Sequence, residues 1–233
     1  MNLKLLEERK PLDDDTLDTL LRYYSGLEYH ETIAYVSSIQ IDSALSWDKK
    51  GQIKNKDDAL KKLGPSIRNK FNVMEGLVIL VHGPNEGSPL VYNQNQNNHW
   101  SILYYQRLNH RFYHYDSLEN FNDPKNRQII SFLIKYNIVP KEGIVLFVPN
   151  FIPQQPGGWQ CSYFCIIYCH ILCSKRYSYP ISSNDVIKYL SNDLFNMSPT
   201  SDLRQNILRF SIDFQTQQKQ LEIAQTAFNV ACH

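Results

Sequence analysis

Gln154-Gln-Pro-Gly-Gly-Trp-Gln-Cys161-Ser-Tyr-Phe-Cys165-Ile-Ile-Tyr-Cys169-His-Ile-Leu-Cys173 follows a strand-like run, Gly143-Ile-Val-Leu-Phe-Val-Pro149, and carries a Pro-Gly-Gly turn into a Tyr-, Ile- and Cys-rich segment of helical length. Strand, turn and helix in that order put Cys161 at or just before a helix N-terminus. Unpaired backbone N–H groups and the positive end of the helix dipole favour a negative charge there. A thiolate is such a charge, and it is the reactive form of cysteine. Cys161 is therefore a candidate nucleophile.

Cysteines recur every fourth residue, at 161, 165, 169 and 173, as a stripe that drifts slowly round one helix. A metal site would favour a C-x-x-C knuckle on a turn, and the nearby imidazole, His170, points off the stripe, so no metal and no other cofactor is expected. Cys165, Cys169 and Cys173 read instead as small apolar residues packed against a sheet, leaving Cys161 at the end that chemistry can reach.

The chain has 233 residues and a formal charge of +1, a length that suits one large domain or a core domain with an appendage, and no electrostatic case for nucleic acid or an anionic membrane. No apolar run reaches the ~18–20 residues of a membrane span, and the first ten residues are too charged for a secretory signal. Of five cysteines, four share one helix and cannot easily bridge one another, which argues for a reducing compartment over a disulfide framework. A soluble monomer is expected.

Taken in order, residues 1–10 read as a lead-in. Pro11 to Tyr24 reads as a helix with acidic N-capping and apolar positions at 17, 20, 21 and 24. From Leu27 to Trp47 the pattern fits strand or helix, and mixed structure is expected. Lys54 to Lys62 predicts a short charged helix closed by Gly64-Pro65. Gly76-Leu-Val-Ile-Leu-Val-His-Gly83 is continuously apolar, as a strand covered on both faces requires. After a polar loop at 93–98, His99 to Gln106 and Arg111 to Asp116 form an antiparallel hairpin. Asn126 to Tyr136 predicts a helix, Gly143 to Val148 a strand, and Ser183 to Leu194 and Ser201 to Ala227 further helices.

A thiol nucleophile needs a base, and the base needs a group to hold its orientation. His99 opens one hairpin strand and Asp116 closes the other, so pairing brings them together at one end, with strands about 5 Å apart. His110 lies in the turn at the wrong end. His114, two residues before Asp116, reads as a solvated or partly packed strand residue. Gln155, six residues before Cys161, lies on the other limb of the Pro-Gly-Gly turn, where its amide and the Cys161 N–H can serve as oxyanion donors.

With His99-Trp100, Tyr115-Asp116-Ser117-Leu118 and Gln154-Gln-Pro-Gly-Gly-Trp-Gln-Cys161 in hand, the chain resembles the ubiquitin-like-protein proteases of the papain-like clan CE: SUMO and NEDD8 proteases, adenovirus-type proteases and bacterial effector deubiquitinases. The order His99, Asp116, Gln155, Cys161, at gaps of 17, 39 and 6 positions, fits that family. The resemblance implies an α+β fold with a mixed central sheet flanked by helices, a cysteine protease domain over 11–180, and a C-terminal helical segment over 181–233 packing on or extending it.

It implies a thiol isopeptidase that removes ubiquitin or a ubiquitin-like protein after its C-terminal Gly-Gly. Cys161 would be the nucleophile, His99 the base, Asp116 its orienter and Gln155 the oxyanion donor. Trp100 would roof a channel too narrow for any side chain, and Gly157, Gly158 and Trp159 would also contact substrate. Pro11-Leu-Asp-Asp-Asp-Thr-Leu17 stands where the family has Trp-Leu-Asn-Asp, with the Trp missing, and places Asp13, Asp14 and Asp15 near the tail groove. These carboxylates would favour the basic tail of ubiquitin or NEDD8 over that of SUMO. Gln160 and Ser162 depart from the family's Asp and Gly, which leaves a catalytically silent ubiquitin-binding module open. A YopJ-type acetyltransferase using the same thiol is a further alternative. Its acidic residue differs from the Asp of Tyr-Asp-Ser-Leu, and no dense basic patch is present. The composition, rich in Tyr, Asn, Gln, Ile and Lys, suits an AT-rich genome and a bacterial effector delivered into host cytosol.

Overall fold

The computed structural model describes residues 12–83, 99–118, 121–142, 145–147 (backbone only), 160–174 and 205. The lead-in, the 93–98 loop, Gln155, Gly157, Gly158 and Trp159 lie outside these residues. So does the C-terminal segment apart from Gln205, which is helical and exposed.

The first helix, α1 (Asp14–Thr19), opens where the acidic cluster predicts, with Asp13 accepting from the Thr16 N–H at 2.7 Å. It continues as a π-helical turn over Leu20–Tyr24, closed by the Ser25 N–H donating to the Leu20 carbonyl at 3.1 Å. Leu17, Leu20 and Leu21 point into the core. The ambiguous stretch from Leu27 resolves into a strand and a helix. Strand β1 (Ile33–Val36) is followed by α2 (Ser38–Lys49), and a capping box separates them: Ser37 Oγ accepts from the Gln40 N–H, and Gln40 Oε1 accepts from the Ser37 N–H.

Two short helices follow, α3 (Lys56–Leu63) and α4 (Pro65–Lys70), of which the sequence predicts only the first. Gly64 ends one and precedes the other at φ +99°, a conformation that favours glycine, and Pro65 opens α4 at its first position.

Strands β2 (Gly76–His82), β3 (Trp100–Gln106), β4 (Arg111–Tyr115) and β5 (Val145–Phe147) join β1 in a mixed sheet of order β1-β2-β3-β4-β5. The central pairs are antiparallel and both outer pairs parallel. Helix α5 (Asp123–Lys135) begins three residues before the predicted start, and α6 is the cysteine helix, Cys161–Cys173. The fold is α+β, with a mixed central sheet flanked by helices.

Alternation along the strands divides the core in two. Val78, Leu80, Ile102, Tyr104, Tyr113 and Tyr115 face α6 and α1, while Leu77, Ile79, Val81, Leu103, Tyr105 and Phe112 face the layer of α2 to α5. This is why β2 reads as an unbroken apolar run. Full burial of each such aliphatic side chain contributes about 1.5–3 kcal/mol. Ser25 Oγ donates to the Ile166 carbonyl at 3.3 Å and ties the π-helical turn to α6. The ends of β2 and β4, the start of β3 and the N-terminus of α6 all meet at one edge of the sheet.

Candidate active site

At that edge the hairpin ladder begins with Ile102 opposite Tyr115, so His99 and Asp116 lie just beyond the last paired residues. Their side chains close the remaining gap. Asp116 Oδ1 accepts from His99 Nε2 in a short hydrogen bond, and both residues are buried, at 4% and 3% exposure. With Nε2 committed to Asp116, the other ring nitrogen is left for a second partner. His99 also hydrogen-bonds the side chain of Cys161, the first residue of α6. Phe121 packs edge-on against the imidazole, with ring centroids 4.9 Å apart, and fixes its plane.

Charges follow from these contacts. Burial alone works against a proton on His99, but the hydrogen bonds and opposite charges of Asp116 and Cys161 outweigh it, and its pKa is raised to about 9. For Asp116, burial pushes upward, yet hydrogen bonds from His114 and His99 and their charges lower it to about 2. The result is a buried imidazolium–carboxylate pair set against the sulfur of Cys161 at a helix N-terminus. Such a pair can orient the imidazole, hold a positive charge beside sulfur and pass a proton to a leaving group.

Solved structures carry the comparison, since no protein-family model and no curated protein matches the sequence. A de-sumoylating protease superposes with a TM-score of 0.56 at 18% identity, over 94% of this chain and 88% of its own. The SUMO protease Ulp1, with its catalytic cysteine oxidised to a sulfinic acid, gives 0.54 at 15% identity over 89% of this chain and 81% of its own. The C-terminal Ulp1 protease domain in complex with Smt3, the yeast orthologue of SUMO, gives 0.51 at 14% identity over 89% and 80%. The fold is that of the clan CE ubiquitin-like-protein proteases.

Within this clan CE fold the structure brings His99, Asp116 and Cys161 together. The tail-channel expectations are more mixed. The Trp100 indole is 1% exposed, and the His82 ring is stacked on it with centroids 4.0 Å and planes 21° apart. Asp13 and Asp15 are exposed, Asp13 as the cap of α1, whereas Asp14 is half-buried. Burial raises the Asp14 pKa, as do Asp15, Asp13 and Asp42, against the opposing charge of His82. Of the acidic cluster, Asp14 feels the charge of His82, the ring stacked on Trp100.

The structure corrects two expectations about exposure. Cys161 is 0% exposed, like Cys165 and Cys169, so access does not single it out. Its contact with His99 does. Ser162 is also fully buried, and its hydroxyl has no hydrogen-bond partner among the described residues.

The sequence predicts a solvated or partly packed His114, and it is neither. It is completely buried on the face that meets α5, because strand alternation turns it away from Tyr113 and Tyr115 and under the start of that helix. Its Nδ1 lies 2.8 Å from Asp123 Oδ1, and its Nε2 lies 3.2 Å from Ser101 Oγ and 3.3 Å from Asp116 Oδ2. A His two residues before the acidic residue, with Asp123 opening the next helix, was the signal available for it in the sequence.

Asp116 is further held by the Leu118 N–H on Oδ1 at 2.9 Å and the Asn122 N–H on Oδ2 at 3.3 Å. Asn122 Nδ2 also donates to Ser101 Oγ at 2.8 Å. A cavity of about 990 Å³, lined by His30, Thr32, Glu75, Gln106 and Arg107 among others, lies at the other end of the sheet and holds none of these groups. Among the described residues no three His, Cys, Asp or Glu side chains converge as a metal set, and no helix is long and apolar enough to cross a membrane.

Proposed function

We propose that the chain is a thiol isopeptidase of the clan CE fold, cleaving ubiquitin or a ubiquitin-like protein after its C-terminal Gly-Gly. The observation that carries the reading is His99, hydrogen-bonded to Asp116 on one side and Cys161 on the other. In the reaction, the proton of the Cys161 thiol is held by His99, and the Sγ thiolate attacks the carbonyl carbon of the terminal glycine. The oxyanion is met by the Cys161 N–H and, as the family resemblance implies, by the Gln155 amide. Collapse breaks the C–N bond, and the leaving lysine amine takes its proton from His99. Water then attacks the thioester, giving its proton to His99 and releasing the modifier carboxylate and the thiol. Asp116 keeps the imidazole oriented throughout.

Ubiquitin is the preferred modifier in this reading, ahead of NEDD8 and SUMO. Support comes from Asp14, whose carboxylate interacts electrostatically with His82, the ring stacked on Trp100, so that negative charge lies in the neighbourhood of the indole expected to cover a Gly-Gly tail. That Cys161, Cys165, Cys169 and Cys173 form no disulfide suits a reducing compartment, and the composition suits a delivered bacterial effector. A native gene in a eukaryotic nuclear genome would overturn the effector part.

The complete burial of Cys161 and Trp100 favours a second reading, a catalytically silent binder of the modifier. Side-by-side cleavage of ubiquitin-, NEDD8- and SUMO-fluorophore substrates separates the two. The wild type is expected to cut ubiquitin fastest and Cys161→Ala none, with the preference reduced when Asp13, Asp14 and Asp15 are changed to Asn. Turnover retained by Cys161→Ala would sink the protease assignment. SUMO cut fastest, or a preference unmoved by the triple change, would sink the electrostatic account of selectivity.

A further inference from the structure

His114 has no place in a three-residue mechanism, yet it is the most completely enclosed histidine at the site, with both ring nitrogens facing carboxylates. Asp123 Oδ1 lies 2.8 Å from Nδ1, and Asp116 Oδ2 lies 3.3 Å from Nε2. A carboxylate oxygen only accepts, so a neutral imidazole would leave a ring lone pair pointing at one of them. The doubly protonated ring satisfies both. A neutral ring has one alternative, accepting at Nε2 from Ser101 Oγ at 3.2 Å.

We propose that His114 is a positioning residue, a second buried imidazolium that grips the Asp116 oxygen not used by His99 and anchors it to Asp123. The reacting line then has five side chains: Asp123, His114, Asp116, His99 and Cys161. This rests on the protease reading for its catalytic meaning, but its charge state stands independently.

The surroundings leave His114 a distinct task. Asp116 is faced by His99 from the start of β3, His114 from β4, the Asn122 N–H from the start of α5, and Cys165 and Tyr168 from α6. Burial pushes the titrations of Cys165 and Tyr168 well above their usual values, so they hold their protons and supply no positive charge. His114 is faced by Asp116, Asp123 and the uncharged Ser101. Burial opposes its proton, the two carboxylates favour it, and the balance is upward. Asp116 therefore has two cationic neighbours, and His99 alone must move a proton during turnover. When His99 is neutral, His114 still holds Asp116 ionised and in place to realign the ring.

The experiment pairs a spectroscopic reading with a kinetic one on the full chain. At about pH 7.5 an ordinary imidazole, with a pKa near ~6.5, is mostly neutral, whereas both His114 ring nitrogens are expected to give the protonated ¹⁵N signature. His114→Gln keeps a polar side chain without the charge. It is expected to lower kcat at least about tenfold with KM changed less than about twofold, and to move the acid limb of the rate profile up by about one pH unit as Asp116 protonates more readily. Asp123→Asn should move the limb the same way by less, and serves if His114→Gln does not fold.

A neutral His114 in the wild type overturns the proposal, as does a His114→Gln enzyme with an unchanged pH profile. If the chain proves to have no protease activity, the ¹⁵N spectrum and a ¹³C titration of the Asp116 carboxyl in the two variants still decide the linkage. The missing activity would then count against the protease reading alone.

Discussion

A buried carboxyl ordinarily keeps its proton, and Asp116 escapes that rule because imidazoles stand on both its oxygens and two backbone N–H groups add hydrogen bonds. Asp116→Asn leaves an amide in place of the charge. It should lower kcat/KM by orders of magnitude, up to the ~10⁴-fold seen when a triad loses its orienting carboxylate. His99, without the charge that raises it to about 9, should then lose its proton sooner, so the basic limb of the rate profile moves to lower pH.

Linkage gives the matching stability signature. The raised His99 pKa contributes stability that is whole below its ordinary 6.5 and lost as pH rises through about 9. The lowered Asp116 pKa contributes stability that is whole above its ordinary 3.8 and lost as pH falls toward about 2. The wild-type Tm should therefore fall between pH 6.5 and 9 more than that of His99→Gln. Parallel curves for the two proteins would count against the ion pair. At this scale, His99 and Asp116 were legible because two hairpin ends meet whatever the register. The burial of His114 was not, because it depends on where α5 starts, and that start lay three residues earlier than its apolar periodicity indicated.

Among the elements, α6 shows how much one pattern can carry. Its cysteine stripe reads as packing, and Cys165 and Cys169 are buried against the sheet as that reading requires. Tyr168 sits among them, its ring 5.4 Å from that of Tyr115, and its hydroxyl is buried with no hydrogen-bond partner among the described residues. An unsatisfied buried hydroxyl costs about 1–3 kcal/mol, so Tyr168→Phe should leave activity intact and hold or raise Tm. A clear fall in Tm would show that the hydroxyl is bonded after all.

The β-branched run of β2 and the polar-flanked hairpin announced themselves. The stretch after Leu27 did not, because four strand residues and a helix with almost no apolar asymmetry share one composition. The capping box at Ser37 and Gln40 is the local signal that divides them. The π-helical turn at Leu20–Tyr24 keeps the same apolar positions as an α-helix, so periodicity could not reveal it.

Over the whole molecule, a sheet covered on both faces leaves one edge at which β2, β3, β4 and α6 present their ends. The chemistry gathers there because strand ends and a helix N-terminus leave backbone groups and side chains free of the ladder. The fold class was legible from the order of strand, hairpin, helix, strand and cysteine helix. The full enclosure of Cys161 was not, since burial of a helix N-terminus depends on segments distant in sequence.

In the protease reading, the nucleophile among the four cysteines of α6 is the one in contact with His99. A ubiquitin probe with an electrophile in place of the terminal glycine carboxylate, followed by peptide mass mapping, tests it directly. A single adduct on Cys161 is expected, absent in Cys161→Ala and strongly slowed in His99→Ala. An adduct on Cys165, Cys169 or Cys173, or labelling that survives Cys161→Ala, would contradict it.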